Sequence, residues 1–147
     1  MDICIDIYRK LLHISPFKLY ERGGILGGKD GVVTKIAFDK GFEIANRPCC
    51  YSPNVDYLNE IIEEWQNEGC LFMGLFHTHI GYSKELSYAD RVYITNIMLS
   101  MPRYIQSLYF PIISLPEKSI ECYIAKYNID EVFIDVSEIK LMRSGQK

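Results

Sequence analysis

The sequence has no Cys-x-x-Cys pair, no basic stripe, no low-complexity tract and no long apolar run, and each absence removes a class of protein. Its five cysteines (Cys4, Cys49, Cys50, Cys70 and Cys122) are an odd number without metal-type spacing. That fits a reducing compartment, the cytoplasm, better than a disulfide framework. The adjacent Cys49 and Cys50 read as small packing residues rather than a metal or redox site. The 16 basic and 19 acidic residues are mixed along the chain for a net charge of -3, so no positive surface is expected to neutralise a phosphate backbone. Nucleic acid is therefore not expected as a partner. No segment approaches the roughly 20 apolar residues that span a bilayer. The start, Met1-Asp2-Ile3-Cys4, also lacks the basic flank and apolar core of a signal peptide. Neither a membrane partner nor a secreted location is expected.

What is present suits one folded domain over residues 1–147, with 48% hydrophobic and 24% charged residues. Apolar residues at Ile5, Tyr8, Leu11, Leu12 and Ile14 recur at helical spacing, predicting a helix from Ile3 to about Leu19. Gly24–Gly27 and Val32–Phe38 read as paired antiparallel strands around an Asp30-Gly31 turn. Tyr57, Leu58, Ile61, Ile62 and Trp65 form the apolar stripe of a helix between Ser52 and Gly69, with Ser52 as its cap and Pro53 as its first residue. Cys70–Phe76 is almost wholly apolar, as expected of a central strand covered on both faces. A further helix opens at Ser87 and ends at Pro102. Leu108–Leu115, Ile120–Tyr127 and Val132–Val136 complete the strands. The expected fold is mixed α/β: one sheet with helices packed on it.

The chemistry concentrates in Phe76-His77-Thr78-His79-Ile80-Gly81 and Ser87-Tyr88-Ala89-Asp90. Alternation along a strand points His77 and His79 to the same side, with α-carbons about 7 Å apart, so both imidazoles can meet one ion. Asp90, in the first turn of the following helix, can supply a carboxylate oxygen. Such a set of two nitrogens and one oxygen leaves zinc a fourth position for water, whose pKa the metal lowers to about 7. Hydrolysis then also needs a proton carrier. Glu21 is the candidate, beside Gly23 and Gly24 where a substrate backbone can approach closely; Glu43 is the alternative. Ser87, at a helix start, can donate to a developing oxyanion. Ser87 and Asp90 also have the spacing of a capping box, and the two roles are compatible. His13, the remaining histidine, reads as a packing or surface residue.

These residues resemble the signature of the JAMM metalloproteases, also called MPN+ or JAB-domain enzymes: an upstream Glu, then His-x-His, then Ser-x-x-Asp. Glu21 falls on that family's acid/base, His77, His79 and Asp90 on its zinc ligands, and Ser87 on the serine that assists the tetrahedral intermediate. The step of eight from His79 to Ser87 agrees, as do Glu21-x-Gly23-Gly24-Ile25-Leu26-x-Gly28 and Gly74-x-x-His77-x-His79. The resemblance covers most of residues 1 to 136. Ile80 departs from it, standing where the family usually has Pro.

The resemblance implies an MPN/JAB-like fold, one mixed, mostly antiparallel sheet arranged like that of the cytidine deaminases. It also implies a compact, prokaryotic-type zinc isopeptidase or peptidase. The implied partner is a ubiquitin-like or sulfur-carrier protein with a C-terminal Gly-Gly tail. No long insertion is seen around Ser83–Leu86 of the kind that grips ubiquitin chains. A non-catalytic interaction module is the competing reading, which retention of the full ligand set disfavours. A His-x-Glu zinc deaminase lacks its Pro-Cys-x-x-Cys partner here.

Overall fold

The computed structural model describes residues 1–14, 22–39, 53–81 and 85–143. In chain order the elements are β1 (Asp2–Cys4), α1 (Ile5–Leu12), β2 (Gly23–Lys29), β3 (Val32–Phe38), α2 (Val55–Asn67), β4 (Leu71–Ile80), α3 (Tyr88–Ser100), β5 (Ser107–Leu115), β6 (Ser119–Asn128), β7 (Glu131–Ser137) and β8 (Lys140–Met142). The strands make one eight-stranded sheet in the order β7-β6-β5-β4-β2-β3-β1-β8. Antiparallel pairing joins β2 to β3 and β4, and β6 to β5 and β7. Parallel pairing joins β1 to β3 and β8, and β4 to β5. The sheet is mixed with antiparallel pairs in the majority, as the sequence reading expects.

Alternate residues of the same strands feed two cores. Leu75, Ile112, Tyr123 and Ala125 pack with Leu58 and Trp65 of α2 and Ile94 and Met98 of α3. Phe76, Ile113, Leu115 and Cys122 pack on the other side with Ile7 and Leu11 of α1. The period of two in the strands thus becomes three layers, with α1 on one face and α2 and α3 on the other. Among the described residues no helix is long and apolar enough to cross a membrane.

The N-terminal segment differs from the single helix expected from Ile3 onward. Asp2–Cys4 is a strand held between β3 and β8, and the helix begins only at Ile5. Ladder bonds on both sides and complete burial of Ile3 outweigh the local helical spacing. β8 was not anticipated: three residues are too few to show an alternation, and its placement depends on a remote contact, Lys140 N–H donating to Met1 O at 2.9 Å.

The start of α2 is also corrected. Asn54 is the cap, its side chain accepting from Tyr57 N–H at 3.2 Å, and Pro53 precedes it; Ser52 lies outside the described residues. Asn is as good a cap as Ser, and the Asn54 N–H donates to Asp39 Oδ2 at 2.7 Å, tying the helix to the end of β3.

β4 sits at the centre of the sheet, between β5 and β2. Its Gly74 has φ +151, and a Cβ there would lie 1.8 Å from Tyr109 O. Only glycine lets the strand come this close to β5 at the point where their pairing begins, three residues before His77.

Candidate metal centre

β4 runs on past the apolar stretch to Ile80, and its alternation decides the site. Leu75 belongs to the α2/α3 core and Phe76 to the α1 core, so His77 and His79 point toward α3 while Thr78 points the other way. Thr78 anchors the strand: its N–H donates to Arg22 O at 2.7 Å, and its Oγ1 accepts from Arg22 N–H at 2.8 Å. The imidazoles converge, with the two Nε2 atoms 3.0 Å apart.

α3 brings the third group. Ser87 caps the helix, its Oγ accepting from Asp90 N–H at 3.0 Å while its own N–H donates to Asp90 Oδ2 at 2.9 Å. This reciprocal box fixes the Asp90 rotamer. One carboxylate oxygen lies 3.3 Å from His77 Nε2 and the other 3.2 Å from His79 Nε2. Capping and convergence are therefore served by the same side chain, and the expected double role of Asp90 is geometrically consistent.

The geometry fits a small divalent cation. Bonds of about 2.0 Å to the corners of a tetrahedron separate the ligand atoms by about 3.3 Å. The two imidazole nitrogens are 3.0 Å apart and Asp90 approaches each with a different oxygen, Oδ1 at 3.3 Å and Oδ2 at 3.2 Å; with one ligand atom from each residue the set lies within 4.8 Å, close enough to gather on one ion. Protonation states favour the same outcome. Burial is the main influence on His77 and pushes its pKa down despite Asp90, so the imidazole is held neutral, as a ligand must be. For Asp90, burial works to raise the pKa, but hydrogen bonds with His77, His79 and the Ser87 N–H outweigh it and keep the carboxyl well below the usual carboxylate range. Neutral nitrogens and an ionised oxygen around one point form a compatible site for a metal ion.

His77 is 4% exposed, so the cluster is set into the sheet rather than displayed on it. Glu21 and its alternative Glu43 lie outside the described residues, as do Cys49 and Cys50. Arg22, which follows Glu21, is the residue bonded to Thr78 between the two histidines. Ile80 continues β4 to a pairing with Leu115. His13 ends α1, its Nδ1 2.6 Å from Arg9 O and away from the cluster's strands.

Sequence reasoning missed three buried hydroxyls near this centre: Tyr93, three residues beyond Asp90, and Ser114 and Ser119 in the neighbouring strands. Tyr93 lies within the helix expected from Ser87 to Pro102, where nothing local marks its hydroxyl. Burial, reinforced by the charges of Asp39 and Asp90, raises its pKa. For Ser114 the available signal was a polar residue inside the apolar run Leu108–Leu115.

No family model and no curated protein matches the sequence. Solved structures do match. A JAB1/MPN domain protein from Archaeoglobus fulgidus is similar at 18% identity and TM-score 0.55, over 97% of each chain. A protein from Desulfitobacterium hafniense is similar at 23% identity and TM-score 0.67, over 97% of this chain and 93% of that one. A third, from Salinibacter ruber, is similar at 17% identity and TM-score 0.58, over 100% and 95%. The chain has an MPN/JAB-like fold.

Proposed function

We propose that this chain is a JAMM-type zinc hydrolase, cleaving an amide bond at the C-terminus of a ubiquitin-like or sulfur-carrier protein whose tail ends in Gly-Gly. One observation carries the reading: His77, His79 and Asp90 meet at ligand spacing where a central strand gives way to a helix, within an MPN/JAB-like fold. Crevices at the carboxyl ends of sheet strands are where α/β folds commonly build such sites. The proposed setting is the cytoplasm, without a nucleic-acid or membrane partner.

His77, His79 and Asp90 would hold the ion. When bound, zinc supplies Lewis acidity and makes water a competent nucleophile at neutral pH. The remaining work falls to the chain's own groups. Glu21 takes the proton from the attacking water and passes it to the leaving amine. Ser87 accepts the Asp90 N–H, which leaves its own hydroxyl proton to donate to the oxygen that gains charge, aided by the positive end of α3. Asp90, locked by the capping box, needs no reorganisation.

The test uses purified protein, elemental analysis for zinc, and a model isopeptide ending in Gly-Gly, with and without chelator. Glu21→Gln is expected to keep the metal and lose turnover by about 10²- to 10⁴-fold. Asp90→Ala is expected to lose the metal itself. A Glu21→Gln protein that cleaves as fast as the parent removes Glu21 from the mechanism. A second reading, a non-catalytic interaction module, is favoured by the capping box, which gives Ser87 and Asp90 a structural role without any metal. Zinc-loaded protein inert toward every Gly-Gly substrate would support that alternative.

A further inference from the structure

Among the described residues, three buried side-chain polar atoms have no hydrogen-bond partner: the hydroxyls of Tyr93, Ser114 and Ser119. Buried polar groups are nearly always bonded, so each such exception calls for a partner. All three belong to the elements that frame the metal cluster, and two of them share a row with one of its ligands.

The strand registers define that row. Ser114 of β5 is the parallel partner of His79, and Ser119 of β6 is the antiparallel partner of Ser114. Residues partnered across adjacent strands project from the same face. His79, Ser114 and Ser119 therefore line up across β4, β5 and β6. The core assignments fix the face independently: Leu75, Ile112 and Tyr123, separated from them by even steps along the same strands, all pack on the α2/α3 side. Ser114 is 1% exposed and Ser119 is partly buried as a residue, and both hydroxyl oxygens are shielded from solvent.

Folding alone does not account for these serines. Alanine would fill either position without stranding a hydroxyl, and the alternate residues of the same strands, Ile113 and Ile120, are apolar. We propose that Ser114 and Ser119 form a substrate subsite continuous with the metal cluster, which binds a neutral main-chain amide of a slim, extended peptide beside the bond to be cleaved. The inference rests on the hydrolase reading given above. Each hydroxyl offers one donor and two acceptor positions, which matches the N–H and C=O of an amide. Neither serine has lysine or arginine as its cross-strand partner, so a free carboxylate is a poorer fit. A slim, glycine-like backbone suits a row whose hydroxyls are shielded from solvent.

The test compares zinc-loaded parent, Ser114→Ala, Ser119→Ala and the double variant. The probe is acetyl-glycyl-glycine N-methylamide, with its dissociation constant read by NMR titration. Zinc content and melting temperature are measured on the same samples. The expected result is parental zinc content, melting no lower than the parent, and about three- to tenfold weaker probe binding for each single variant, larger in the double. A double variant that binds the probe like the parent, or a zinc-loaded parent that does not bind it, overturns the subsite and leaves the metal reading standing. Alanine variants that melt well below the parent also overturn it, because the hydroxyls then serve the fold. A parent that takes up no zinc sinks the hydrolase reading, and the subsite with it.

Discussion

The two faces of the sheet are built from alternate residues of the same strands, yet they have different chemistry. On the α1 side, Ile3, Leu26, Val33, Phe76, Ile113 and Leu115 make a close apolar core, and the buried Thr78 on that side is satisfied by Arg22. On the α2/α3 side the strands begin equally apolar with Leu75, Phe110 and Ile112. Toward the end of β4 they turn to His77, His79, Ser114 and Ser119. Both faces hold buried apolar cores, but only the α2/α3 face turns polar at the end of β4, a local break in pattern of the kind that functional sites commonly show.

Phe76→Ala probes the apolar face. Phe76 is fully buried and meets Phe38 edge-on at 5.6 Å, so its loss should cost about 3–5 kcal/mol in urea unfolding. Although Phe76 adjoins His77 in sequence, zinc binding should survive in the folded fraction. Loss of metal together with stability would show that the two faces are not separable.

His77→Leu probes the polar face in the opposite sense. In the parent, zinc at a hundredfold excess over its dissociation constant should raise stability by about 2.7 kcal/mol. The variant should lose that gain entirely, while its metal-free form melts no lower than the metal-free parent. The reason is that a desolvated imidazole is replaced by a side chain suited to the buried position. Melting curves with and without zinc give both values, and a metal-free variant that melts much lower would mean that His77 is needed for folding.

The division between faces was partly legible in the sequence. The His77-x-His79 spacing gave the shared direction of the imidazoles. The apolar run before it gave a central strand, and Ser87-x-x-Asp90 gave both the helix start and the third group, because these are local patterns read over a few residues. What was not legible depends on pairing between distant segments. β1 and β8 are three residues each and exist only through each other and β3. The Ser114–Ser119 row is invisible without register, since neither serine is near a histidine in sequence. Asn54 displaced the expected Ser52 cap because Asp39, at the end of β3, holds its N–H.

Acidification should act on the metal-free parent through His77. Burial holds its folded pKa below the ordinary 6.5, so the unfolded chain takes up a proton first as pH falls. Stability from this group is complete above about pH 6.5 and is lost as pH drops toward the lower folded value, at a slope of at most about 1.4 kcal/mol per pH unit. Asp90 has the usual depressed carboxylate pKa and loses its contribution only at more acidic pH. Urea midpoints between pH 7.5 and 5.5 should therefore fall more steeply for the parent than for His77→Leu. Equal slopes would assign the acid sensitivity to other groups.

Ser87 separates structure from chemistry within one residue. Replacing the cap with Ala should cost about 1 kcal/mol, whereas Gly costs only a few tenths, because glycine adopts the cap geometry and leaves the helix end open to water. The hydroxyl is absent from both variants. If Ser87 donates to the oxyanion, turnover should fall by about 10²- to 10³-fold in Ala and Gly alike, with zinc content unchanged. If its only role is to fix Asp90 through the capping box, activity should instead follow stability, and Gly should retain far more turnover than Ala.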